Sequence, residues 1–201
     1  MTGFLVGAAV GVALGSVPVS WSVHRLLHGA DLRNVGSGNP GATNAWRQGG
    51  VAAGVVGLAG DVAKGAAAVA LARRLGGASA SAAAAFGAPL GHALSPWLAF
   101  RGGKGVAPAL GAFLVLSPVA AVCALGAFVA GVSLTGWVSF GSFAGALALL
   151  LGTWASGAQA PTVAAAATGL LLVWRHRENF VRMRAGTEPR VRGRHPRGEA
   201  R

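Results

Sequence analysis

The sequence contains no tyrosine, one cysteine and only five acidic residues among 201. Charge is scarcest in its middle. From Gly105 to Trp174 there is no Asp, Glu, Lys, Arg or His at all. A soluble domain carries charge on roughly 25% of its residues, whereas 11% are charged here. No water-facing surface can be assembled from such a stretch, so it belongs in a bilayer. The lone Cys123 excludes an internal disulfide and a multi-cysteine metal site. No basic neighbour in sequence would favour its thiolate, so it is read as packing. Before the C-terminal region the only acids are Asp31 and Asp61, thirty residues apart. A metal-dependent lipid phosphotransferase needs a tighter group of carboxylates. No metal and no organic cofactor is expected.

What the chain does have is basic charge, +12 net. Nine of its seventeen Lys and Arg lie at Arg175 or beyond. None sits among interleaved aromatics of the kind that stack on bases, which argues against nucleic acid. The basic end fits a cytoplasmic segment near anionic lipid. The length allows one domain, expected over residues 1–188, with a flexible basic tail over 189–201.

Hydrophobic runs set the expected spans. The first is Phe4 to Val23, read as a retained helix because no positive charge precedes it and it is long enough to cross. A charged loop follows from His24 to Gly50. The second span is Val51 to Ala72 and the third Ala80 to Phe100. The Lys and Arg distribution places the N-terminus outside and the first loop, the segment after span three and the C-terminus inside, with Arg73-Arg74 discordant. Gly105 to Trp174 then begins and ends inside. It would make ~105 Å of helix at 1.5 Å per residue, too much for two crossings of a ~30 Å core. Breaks at Ser117-Pro118, Thr135-Gly136-Trp137 and Ala155 to Pro161 suit four. The expected fold is an all-α membrane protein with about seven transmembrane helices, five plus re-entrant segments being the alternative.

Two glycine-rich polar runs interrupt this apolar chain: GSGNPGATN, Gly36 to Asn44, and RGGKG, Arg101 to Gly105. Successive glycines can aim backbone N–H groups at one anion. Gly36, Gly38, Asn39, Gly41, Thr43 and Asn44 in the first run, and Gly102, Gly103 and Gly105 in the second, are therefore candidates for binding phosphate. Lys104 and Arg47 would add full charges. The first run matches GxGxxG, but no strand leads into it, so it is not a dinucleotide fingerprint. RGGKG is not a Walker A loop, since Val106 stands where Ser or Thr must reach magnesium. Asp61 and Lys64 share a helix face within a span, either as a self-contained pair or in support of a site. His176 and Asn179 share a face just past the last span. Arg175, Arg177, Arg182 and Arg184 are read as interfacial anchors and His92 as a structural hydrogen-bonding group. Ser139 and Ser142 could donate to the same ligand. No role is assigned to His24, His28 or His195.

These clusters, in this order, resemble the bacterial acyl-phosphate:glycerol-3-phosphate acyltransferases, the PlsY family. The resemblance runs from about Gly15 to Glu188. It rests on DLRNVGSGNPGATNAWR, GHALSPWLAFRGGKGVA and RHRENFVRMRAGTE, with DVAKG around Asp61 and Lys64. Arg101 stands where the family usually has Lys, Pro108 where Thr is usual, and Phe180 where an aliphatic residue is usual. The resemblance implies an enzyme of the bacterial inner membrane that faces the cytoplasm. It would move a fatty acyl group from acyl phosphate to the 1-hydroxyl of glycerol 3-phosphate, giving lysophosphatidic acid and phosphate without a cofactor. Carried over by position, Ser37, Arg47, Lys104, His176 and Asn179 match residues central to the family's activity.

The residues suit that chemistry. Acyl phosphate is a mixed anhydride with a good leaving group, so gathering two anions is the harder task, and backbone amides with Lys104 and Arg47 would perform it. No serine or cysteine has an evident activating partner, so direct transfer is expected. His176 or a substrate phosphate oxygen would take the hydroxyl proton. A small transporter of phosphate-bearing anions is the alternative. It should place discontinuous helices at the midplane and pair them by a repeat, whereas these glycine runs sit at span ends on one side.

Overall fold

The computed structural model describes residues 1–191. Of the expected 189–201 tail, residues 192 onward lie outside the described residues. Among those described the fold is all helical: α1 (Thr2–Ser16), α2 (Val19–His28), α3 (Ala42–Ala93), α4 (Val106–Leu116), α5 (Pro118–Thr135), α6 (Val138–Ala155), α7 (Gln159–Arg175) and α8 (Arg177–Arg184). Two 3-10 turns, Leu32–Asn34 and Pro96–Leu98, lie in the loops. The stretches Thr2–His28, Ala42–Leu98, Pro118–Thr135 and Val138–Ala155 are long and apolar enough to cross a membrane, and Val106–Leu116 is a shorter apolar helix.

Proline and glycine set the element ends. Pro18 cannot continue the hydrogen bonding of α1, so the first hydrophobic run is two helices and not one. The long α3 is three helical pieces. Gly50 (φ 75) separates residues 42–49 from 51–75, and Gly76-Gly77 turns the chain into 78–93. Helix therefore begins at Ala42, inside the expected loop, because Ala-Thr-Asn-Ala-Trp-Arg-Gln has nothing to stop it before Gly49-Gly50. The expected third span is shorter than Ala80 to Phe100. It stops at Ala93, since Pro96 forces Ser95 out of helical geometry (ψ 120). Ala99 and Phe100, both at positive φ, then turn the chain back. Pro108 sits in the first turn of α4, where no intrahelical N–H bond is due. Further on, Ser117-Pro118, Gly136 (φ 76) and residues 156–158 end one helix and begin the next.

Small residues hold these helices together. Gly3, Gly7, Gly11 and Gly15 recur every fourth residue and line one face of α1. A Cβ at Gly7 would lie 2.1 Å from Ala80 O, and one at Gly15 2.1 Å from Ala88 O. Because both sets of numbers rise together, α1 runs parallel to residues 78–93. The two glycines of the α3–α4 contact, Gly65 and Gly111, meet Pro108 O and Val62 O in the same way. Lipid supplies no hydrophobic drive for helix association, so close backbone contact must supply it. Gly7→Leu is expected to lower the thermal midpoint in detergent markedly, since overpacking costs about 1–3 kcal/mol or more. Gly126→Leu, where a Cβ meets open space, is expected to leave it unchanged. The two melting curves check this.

Candidate active site

The first glycine-rich loop is held from within. Gly36 (φ 58) and Gly38 (φ 70) adopt left-handed backbone, and a Cβ on Gly36 would fall 2.4 Å from Asn44 Oδ1. Buried Asn44 donates Nδ2 to Leu32 O (3.0 Å) and Val35 O (3.0 Å) and accepts from Ser37 N (3.2 Å). Its amide ties the loop down and is not free for phosphate, contrary to expectation. Asn39 Oδ1 accepts from Gly41 N (3.1 Å) in a local turn that launches α3. The Ala42 and Thr43 amides are then first-turn donors with no intrahelical carbonyl to bond, at the positive end of the helix dipole. Arg47 follows one turn later and donates to Pro189 O at 3.4 Å.

The second loop departs further from expectation. Gly102 N donates to Ala93 O (3.2 Å) and Gly103 N to His92 O (3.1 Å), so neither amide is aimed at an anion. Their carbonyls accept from Arg175, Gly102 O at 2.6 Å and Gly103 O at 3.1 Å. Glycine is required here for space. A Cβ on Gly102 would lie 2.0 Å from His92 O and one on Gly103 2.1 Å from His92 Nε2. The available donors are the first amides of α4, Val106 and Ala107, after Gly105 (φ 91) at its N-cap.

Beneath this loop Lys64 Nζ bonds Asp61 Oδ1 (2.7 Å), Val17 O (2.6 Å) and His92 Nδ1 (2.8 Å). Its three protons are all used, so it cannot hold a ligand. Asp61 Oδ2 accepts from Ser20. This cluster fixes the kink at Pro18 and the histidine against which Gly103 rests.

The third cluster brings the loops together. Lys104 Nζ donates to Asn179 Oδ1 (2.5 Å), Asn179 Nδ2 to Glu188 Oε1 (2.6 Å), Ser139 Oγ to the same oxygen (2.9 Å), and Arg182 Nε to Glu188 Oε2 (2.8 Å). Ser142 Oγ donates to Val138 O (2.9 Å) in its own helix. His176 is buried, and its Nδ1 lies 2.8 Å from Leu172 O. A carbonyl only accepts, so Nδ1 carries the proton and Nε2 of the neutral ring is bare.

Ser37, Asn39, Gly41, Thr43, Asn44, Arg47, Asp61, His92, Lys104, Ser139, Ser142, His176 and Asn179 all line one cavity of about 540 Å³. Gly36, Gly38, Gly102, Gly103, Gly105 and Lys64 do not line it and act through the backbone around it. Arg182, expected as an interfacial anchor, and Glu188, for which the sequence offers no role, line it too. Arg175, also read as an anchor, clamps the glycine loop. One signal was present: Gly186 (φ 70) ends α8 and returns the chain over it. Val191 N then donates to Gly136 O (2.8 Å), and Arg190 stacks on Trp137.

The charges are tuned by this enclosure. Burial lowers Lys104 to about 8, opposed by Glu188. Burial, then the Lys104 charge, lowers His176 to about 4. Burial alone would raise Glu188, but hydrogen bonds from Asn179, Arg182 and Ser139 hold it below the ordinary value. Away from the cavity, the Arg33 guanidinium holds Asp31 well below the carboxylate range against the effect of burial, with help from Trp21.

Residues 5–186 match the family model described as glycerol-3-phosphate acyltransferase. Relatives carry the same name. One from Synechococcus sp. (strain JA-3-3Ab) is 43% identical over 93% of each chain. Another, from Anaeromyxobacter dehalogenans (strain 2CP-C), is 43% identical over 91% of this chain and 94% of its own. The fold is also similar to the crystal structure of PlsY (YgiH), an integral membrane glycerol 3-phosphate acyltransferase, in its glycerol 3-phosphate form. That chain superposes with a TM-score of 0.87 at 32% identity over 93% of this chain and 94% of its own.

Proposed function

This chain belongs to the glycerol-3-phosphate acyltransferase family, and on that premise we propose that its acyl donor is acyl phosphate and its acceptor the 1-hydroxyl of glycerol 3-phosphate. The products are lysophosphatidic acid and inorganic phosphate, in the first acylation of phospholipid synthesis. We place it in the bacterial inner membrane in seven passes, with the N-terminus outside and the cavity open to the cytoplasm, following the Lys and Arg bias.

One observation carries this reading. Two helix N-termini, α3 and α4, meet in one cavity with Lys104 and Arg47, and an apolar space continues from them. Such a site suits two phosphate-bearing reactants, one with a long tail. Lys104, Arg47 and the first-turn amides would offset the repulsion between the anions. Ser37 and Asn179 lie where they can orient them. The acceptor oxygen attacks the acyl carbonyl carbon, the carbon–oxygen bond to phosphate breaks, and phosphate leaves with the bonding pair.

The hydroxyl proton goes to a phosphate oxygen, whose second pKa is about 6. His176, at about 4, is the weaker base. Its bare Nε2 is an acceptor for the other hydroxyl of glycerol 3-phosphate, a hydrogen bond that aims the 1-hydroxyl and leaves its proton free for the phosphate oxygen. His176→Gln is therefore expected to retain far more activity than His176→Ala, with an unmoved pH–rate profile. A histidine acting as base would lose activity in both variants. A second expectation follows from Lys104. Its charge is present below its value of about 8 and lost above it. The KM for a phosphate-bearing substrate should therefore rise as pH passes through 8, and Lys104→Arg should flatten that rise.

The reading is tested by giving purified protein glycerol 3-phosphate with acyl phosphate, acyl-coenzyme A or acyl carrier protein in turn. Phosphate release and lysophosphatidic acid with the first donor alone are expected. Uptake of glycerol 3-phosphate or phosphate into proteoliposomes without any donor would favour a transporter.

A further inference from the structure

The apolar part of the cavity has a floor. Lining residues recur turn by turn along α6 from Ser139 to Leu149, ten residues, or ~15 Å at 1.5 Å per residue. Along α4 they run from Val106 to Phe113. At this depth both walls end in the buried core. Phe113 is wholly buried and Leu149 nearly so, and Ala121 of α5 joins them in the same cluster. One long side differs. Val51, Val55 and Leu58 of α3 and Leu125 of α5 border the cavity and are exposed at its rim, so that side opens to lipid.

We propose that Phe113 and Leu149 measure the acyl chain: a tail that lies straight down the cavity stops against them, and a longer one must bend out through the lipid-facing side. This rests on the acyl-phosphate reading above. An extended chain advances ~1.2 Å per bond. The floor therefore stands ~12 bonds below the polar end. Shortening either floor side chain lengthens the straight path. A larger side chain at Ala146, which lines the cavity a turn nearer the polar end, shortens it.

The test is competition. Enzyme in vesicles receives glycerol 3-phosphate with an equimolar series from octanoyl to octadecanoyl phosphate, and the lysophosphatidic acids are separated by tail length. Product ratios do not depend on how much enzyme is folded, so a destabilised variant remains informative. Phe113→Ala and the milder Phe113→Leu and Leu149→Ala are expected to shift the ratio of long to short products upward. Ala146→Leu is expected to shift it downward. The change should be about tenfold, the discrimination that one or two misplaced methylenes produce in an apolar pocket. If all four variants acylate the acceptor with the parent's ratio, the floor does not measure the chain. If no acyl phosphate of any length supports transfer by the parent, the donor reading fails and this proposal falls with it.

Discussion

Lys104→Ala, correctly inserted, is expected to lose roughly 10²–10³ of turnover, the usual effect of deleting one preorganised donor from a reaction centre. The size follows from where the ammonium lies. It is enclosed, held by Asn179, and positioned by a loop that Arg175 clamps from one side and His92 supports from the other. A charge fixed in that way costs little to reorganise when negative charge shifts to the leaving phosphate. Lys104→Arg should recover only part of the loss, because a guanidinium is wider and its donors point differently. Steady-state rates with both substrates saturating check this.

Gly102→Ala is expected to be nearly as damaging, although no side chain of the site is altered. The new methyl would sit 2.0 Å from His92 O. That oxygen belongs to backbone, which cannot swing aside as a flexible side chain could. The loop must lift, breaking the Gly102–Ala93 and Gly103–His92 hydrogen bonds and the seat of Arg175. Lys104 moves with it, and an ångström of misplacement costs about 10²-fold. The measurement is turnover beside a melting curve. A large loss of rate with a small loss of stability is expected.

These two positions show what the sequence made legible and what it hid. The uncharged stretch from Gly105 to Trp174 and the prolines and glycines within it announced helices in a bilayer and marked where they end. The glycine runs announce a site, but Gly102 and Gly103 serve close approach to His92 and not the expected presentation of amides. Glycine serves both exposed amides and close backbone approach, and only the neighbouring His92 carbonyl distinguishes them. Asn44 is a brace and not the expected ligand, because an asparagine beside glycines suits either role. The glycines of α1 carry no signal in sequence, because an apolar helix needs no explanation until its partner is known. Arg182 and Glu188 were hidden for another reason. Their pairing depends on the turn at Gly186, and charges at the end of a span are ordinarily anchors.

The central claim is that two cations and two helix N-termini gather two negatively charged reactants in one cavity. Its most direct test is equilibrium binding of glycerol 3-phosphate and of a non-transferable acyl phosphate analogue to the parent and to the Arg47→Ala/Lys104→Ala double variant, both reconstituted in lipid. At least tenfold weaker binding of each ligand is predicted, since a charge-assisted hydrogen bond contributes about 1.5–3 kcal/mol. Equal affinity for both ligands in a properly inserted double variant would contradict the account.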